Sequence, residues 1–302
     1  MGYHSQTLRS YFITPGNCDK TVSEKDCSCG AVEFSQWHNK NNNVVRDITM
    51  RMHLNRFLVL ALLCMAAPFA QADLQRLQQV HEFRSEGYVA ATYMLIDNNL
   101  FERVREPGNR EAYNAAINSM SSLLRQAGSP QELQYAFDEF VRLIRQLEEM
   151  SGEEAHYSLA TVNLIMQAHG RMDKIAAQLY QELAAEAPEK LLALHQQSLE
   201  THQILLLYQN NMFSSVGVYF VETGDGVFAA MNERIVKRSA QLRSLFPDLG
   251  GTFNQLDKQY SFIQPRLLNY ASDWVPTIAA FYLLRNTETL DTLAREQILG
   301  AS

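Results

Sequence analysis

Beyond Cys64 the chain has no cysteine. Its four cysteines are Cys18, Cys27, Cys29 and Cys64, all within the first 64 of 302 residues. This excludes disulfides, a thiolate nucleophile and a cysteine-ligated metal centre from everything that follows. It suits a protein of an oxidising compartment that needs no covalent staples. Cationic residues are also scarce. Five of the 33 acidic and seven of the 26 basic residues precede Asp73, which leaves 28 against 19 from Asp73 onward, a net charge of −9. An acidic surface of this kind argues against nucleic acid or anionic lipid as partner. Long hydrophobic runs are missing too. The one apolar stretch, Phe57 to Ala67, is shorter than the roughly 17–25 residues a membrane span needs, so no span is expected after it. No nucleotide-binding loop, nucleophile elbow or zinc-protease motif is present.

The apolar stretch reads instead as a secretory signal over residues 50–72. Arg51 and Arg56 supply the basic region, Phe57 to Ala67 the apolar core, Pro68 a break, and Ala70-Gln71-Ala72 a small-residue cleavage site. The expected product begins at Asp73 and is extracytoplasmic, in a periplasm. Residues 1–49 show neither helical nor strand periodicity and read as a disordered leader or a mis-assigned start. Cys18, Cys27, Cys29 and His38 within them lack the spacing of a standard zinc finger.

Helical periodicity fills the remainder. Apolar residues recur at three- and four-residue steps in eight segments: 74–104, 109–127, 131–150, 153–186, 189–222, 227–246, 252–270 and 273–299. The breaks carry turn chemistry: Pro107-Gly108-Asn109, Gly128-Ser129-Pro130, Ala187-Pro188, Gly224-Asp225-Gly226 and Pro247 to Gly251. Ser129 with Glu132, Ser151 with Glu154 and Thr252 with Gln255 read as capping boxes. Pro265 sits inside the seventh segment and is expected to kink it.

The expected fold is all-α: two related up-down helical bundles of about four helices each, residues 73–187 and 188–302. The relation rests on an offset of 118. Gly108, Ala112, Asn114, Ile117, Ser121, Leu124 and Arg125 recur as Gly226, Ala230, Asn232, Ile235, Ser239, Leu242 and Arg243. A two-residue insertion shifts the register in the next loop. The offset then returns, so that Asp173 and Ala176 match Asp291 and Ala294. Short helix connections favour antiparallel neighbours and hence bundles.

Four constellations bear on chemistry. Glu153 and His156 have the spacing of a di-iron ligand pair, but only one such pair exists, in a first helical turn where acids serve as caps. Met166, His169 and Met172 lie three apart and offer soft ligands for Cu(I); core packing explains the methionines equally, and Asp173 stands one turn on from His169. His195, Ser198, His202 and Gln209 interrupt a very apolar helix, which points to a wet cavity or an interface. Val218, Tyr219 and Phe220 belong to a Gly-rich tip expected to display apolar side chains.

These features lead to an expected function: a non-catalytic periplasmic binding or adaptor module. It would recognise a small molecule or an envelope partner through His195, Ser198, His202, Gln209, Val218, Tyr219 and Phe220. No catalytic residue and no cofactor is expected. The alternative is a bundle-core metal protein or enzyme using Met166, His169 and Met172 or Glu153 and His156.

Overall fold

Proline and glycine divide the chain where the sequence places its breaks, and every regular element between them is helical. The computed structural model describes residues 71–98, 106–150, 155–211, 217, 219–220, 224, 226–271 and 274–300, with only the backbone of 155–157. The leader, the signal segment up to residue 70, Glu153, His156 and Val218 fall outside this description or, for His156, outside its side chains, while Gln71 and Ala72 open the first helix. Among the described residues there is no strand, and no helix is long and apolar enough to cross a membrane.

Among the described residues eight α-helices follow one another: α1 (71–97), α2 (Pro107–Gln126), α3 (Gln131–Glu149), α4 (Ala155–Leu183), α5 (Glu189–Asn210), α6 (Val227–Leu245), α7 (Gly250–Leu268) and α8 (Pro276–Leu299), with a 3-10 turn at Pro247–Leu249. Two boundaries correct the expected caps. Gly128 (φ 88°) and Ser129 (φ 47°) are left-handed, and the Ser129 amide donates to the Leu124 carbonyl at 2.8 Å. Ser129 therefore closes α2 in the manner of a Schellman turn, and Pro130 stands at the N-cap of α3 without a side-chain cap. The turn at Pro247–Leu249 runs directly into α7, so Thr252 lies inside that helix rather than at its cap. Likewise α5 stops at Asn210, well short of 222.

Three apolar clusters hold the helices together, and α1 and α5 contribute to all of them. The first unites Phe83 and Met94 of α1 with Met120, Phe140, Met166 and Leu206; the second joins Ile96 to Leu205, Ile235, Ile263 and Leu283; the third joins Leu77 to Leu194, Leu242, Phe253 and Leu290. Each such side chain contributes about 1.5–3 kcal/mol on burial. The two helices run parallel: His81 stacks on His195, and further along both, Tyr88 stacks on His202. Around them α5 packs on α6 and α8, α7 on α6 and α8, and α3 on α4. The connection through Pro188 turns the chain back, so that Tyr180 of α4 meets His195 of α5. A helix enclosed on all sides loses its polar face, and α5 does so: it buries His195, Ser198, His202 and Gln209 along with its leucines.

Candidate functional site

Polar side chains of α1 and α5 point inward because these helices have no solvent face to offer. They form two buried centres. In the first, Arg84 holds Asp173 of α4 with two parallel hydrogen bonds, Nε to Oδ1 at 2.7 Å and Nη2 to Oδ2 at 3.2 Å. The Tyr88 hydroxyl donates to the same carboxylate at 2.9 Å, and Gln203 donates to that hydroxyl. Burial pushes the Asp173 carboxyl up, but Arg84 and the hydrogen bonds outweigh it and hold the group below its ordinary value. A bidentate guanidinium–carboxylate pair satisfied on every side is a finished structural element.

The second centre is less complete. His81 Nε2 donates to Asp291 of α8 at 2.9 Å. Burial raises the Asp291 carboxyl; His81, His202 and the nearby Ser198 hydroxyl bring it below its ordinary value. Among the described residues the Ser198 hydroxyl has no aligned acceptor and His202 Nδ1 has no hydrogen-bond partner, though both residues are almost fully buried. Burial lowers the His202 pKa to about 4, against the pull of Asp291, so near pH 7 its imidazole is neutral.

A directed chain links this interior to the surface. The Tyr180 hydroxyl donates to His195 Nδ1 (3.0 Å), His195 Nε2 donates to Gln78 Oε1 (2.7 Å), and Gln78 Nε2 donates to Glu82 (2.8 Å). Burial and the neighbouring His81 keep His195 far below its ordinary pKa, which fits a neutral ring that accepts at one nitrogen and donates at the other.

The second centre opens into a cleft of about 260 Å³ between α1, α2 and α8. Glu82, Ser85 and Glu86 form one wall, Glu288, Asp291 and Arg295 the other, Ser119 of α2 closes one side and His202 of α5 lies at the floor. Arg295 is shared between Glu82 at 2.9 Å and Glu288 at 3.6 Å. Glu86 has no ion-pair partner among these groups. Burial, and then Glu288, Asp291 and Glu82, raise its pKa to about 7 in spite of a hydrogen bond to Ser119. Ser85 Oγ is buried and unpartnered. The cleft therefore collects negative charge and unmet hydrogen-bonding capacity at one place.

Of the candidate binding residues read from the sequence, His202 alone is among those that line this cleft. Ser198 lies behind it near Asp291, and His195 is held by Tyr180 and Gln78. Gln209 serves the fold: its Nε2 donates to the Pro276 carbonyl at 2.8 Å and anchors the start of α8. The tip is not a free apolar display. Phe220 packs edge-on against Tyr88 and His169. Tyr219 stays partly exposed, yet it lies across Gly170, and its hydroxyl meets Asn163 and Gln167 at 3.1 Å.

Met166, His169 and Met172 are all buried in the first cluster. Asp173 does not satisfy His169, because Arg84 and Tyr88 occupy that carboxylate; both ring nitrogens of His169 are unpartnered, and burial lowers its pKa to about 4. No group of three or more His, Cys, Asp or Glu side chains arranged for a metal occurs among the described residues. Sequence reasoning missed Glu82, Ser85, Glu86, Ser119, Glu288 and Arg295. Their only signal was an acid-rich stripe on α1 and α8, indistinguishable from a solvated face. Comparison of the chain with protein-family models, with curated proteins and with solved structures finds no match.

Proposed function

We propose that the protein is an exported, non-catalytic binding module that takes a small molecule in the cleft between α1, α2 and α8. The observation that carries this reading is a pair of buried polar atoms on residues that line the cleft, His202 Nδ1 and Ser85 Oγ, with no hydrogen-bond partner among the described residues. Leaving such atoms unpaired costs about 1–3 kcal/mol each, a cost that a bound molecule with matching groups removes. Unsatisfied groups gathered at a concave site are the usual mark of a ligand pocket.

In this reading a signal peptide at 50–72 precedes two related four-helix repeats. The matched pairs Ile117 and Ile235, and Leu124 and Leu242, are buried in both halves, in keeping with a duplication. The test is ligand-detected NMR on the purified chain against a panel of small cations, anions, zwitterions and polyols, beside a Ser119→Phe variant that fills the cleft. Binding by at least one class that Ser119→Phe abolishes supports the reading. Binding by none, or binding indifferent to Ser119→Phe, overturns it.

A further inference from the structure

The two buried centres differ in one instructive way. The offset of 118 that aligns Asp173 with Asp291 also aligns Arg84 with His202. In the first centre a guanidinium, delivered on a long side chain, fills the space before the carboxylate. At the matching position of the second the side chain is an imidazole, shorter and neutral near pH 7, and the cleft begins beside it. The first centre carries its cation within the chain; in the second, His81 takes one oxygen of Asp291, and the neighbouring Glu86 of the cleft has no counter-ion among the lining residues.

We propose that the cleft binds a small organic cation, with a guanidinium or primary ammonium head seated against Asp291 and Glu86 as the Arg84 guanidinium is seated against Asp173. This rests on the binding-module reading above and names its ligand class. Four carboxylates (Glu82, Glu86, Glu288 and Asp291) face the site and Arg295 is the one permanent cation among the lining residues, so the site is short of positive charge. Arg295 is already held by Glu82 and Glu288. His81, from α1, is engaged with Asp291, which leaves Glu86 without a counter-ion. His202 Nδ1, in the Nε2–H tautomer, and Ser85 Oγ are unpartnered and can accept hydrogen bonds, as an N–H-rich head requires. At about 260 Å³ the cleft lies below the range of drug-sized pockets, roughly 300–1,000 Å³, and so admits a compact ligand.

A bound cation favours the ionised form of Glu86. Burial and the neighbouring carboxylates raise that carboxyl to about 7, so binding at lower pH is accompanied by proton release, and affinity falls as pH drops from 8 to 6. The other groups facing Glu86 are Glu82 on α1, Ser119 on α2, His202 on α5, and Glu288, Asp291 and Arg295 on α8.

The experiment is isothermal titration of the purified full chain with methylguanidine, with its neutral isostere N-methylurea, and with acetate, at pH 6 and pH 8. The expected result is that methylguanidine binds best, that N-methylurea is weaker by roughly tenfold or more for want of charge-assisted bonds, and that acetate does not bind. Glu86→Gln should weaken methylguanidine and flatten its pH dependence. Glu288→Gln, at an exposed position that leaves folding untouched, should weaken it less. Equal affinity for methylguanidine and N-methylurea, or preference for acetate, overturns the cation assignment while leaving a binding cleft standing. Silence from all three probes overturns the cation assignment, and the broader panel above then judges the cleft itself.

Discussion

Replacing Asp173 by Asn tests whether the Arg84–Asp173 pair is the structural keystone of the interior. The substitution keeps size and one acceptor oxygen and removes the charge. Arg84 then remains buried, with its side chain 8% exposed, and has no counter-ion. Breaking a buried ion pair from one side costs about 3–5 kcal/mol, because the remaining charge has lost both water and partner. That is a large part of the 5–15 kcal/mol that typically holds a domain together. In urea denaturation followed by far-UV circular dichroism, with a slope of about 2–3 kcal/mol/M, the midpoint should fall by roughly 1–2 M. The double substitution Arg84→Met with Asp173→Leu removes both charges and should recover most of the loss. A single-variant cost below about 1 kcal/mol, or a double variant no more stable than the single one, would refute the reasoning.

The second centre should behave in the opposite way. His202→Leu removes a buried imidazole with an unpaired nitrogen, so stability should stay within about 1 kcal/mol of the parent while binding in the cleft is lost; a collapse in stability on denaturation would contradict this. The pH dependence of stability follows from the same groups. His169 and His202 sit near pKa 4 against an ordinary 6.5, so the unfolded chain takes up protons first, and their contribution, roughly 3 kcal/mol each, is present above pH 6.5 and lost as pH falls towards 4. Glu86 works in reverse: its pKa rises from 4.5 to about 7, so its share of stability is lost as pH rises through that window, and Glu86→Gln should steepen the acid-side loss in urea melts taken between pH 4 and 8. Gly170→Ala places a methyl 2.5 Å from Tyr219 Cβ and 2.8 Å from its carbonyl oxygen, so the segment must move off α4 at a cost of about 1–3 kcal/mol, seen as faster limited proteolysis near residue 219.

Helix number and most boundaries were legible because apolar residues recur at helical spacing and proline and glycine punctuate the gaps. Ser129 was misread as a cap because the sequence Ser-Pro-x-Glu does not reveal that the preceding turn already uses its amide. On α5 the sequence showed polar residues breaking an apolar run, and the structure gives the reason: a helix enclosed by α1, α6 and α8 has no exposed side on which to put them. The cleft was hidden for a different reason. Gln78, His81, Arg84 and Ser85 recur at helical spacing and look like the wet face of an amphipathic helix. Their partners stand far away in the chain, Asp173 at 89 residues from Arg84 and Asp291 at 210 from His81. Nothing local distinguishes a charge that faces water from one that waits for a carboxylate on another helix. The match of Asp173 with Asp291 was readable, whereas the exchange of Arg84 for His202 gained meaning only once both carboxylates were seen in the interior.

A cation bound in the cleft is what the remaining measurement tests. Titration of methylguanidine into the purified chain at pH 6, in buffers of different ionisation enthalpy, counts the protons released as the ligand binds. Saturable binding at one site with net proton release, reduced in Glu86→Gln, is the expected result. Binding with no proton release, or release unchanged in Glu86→Gln, would contradict it.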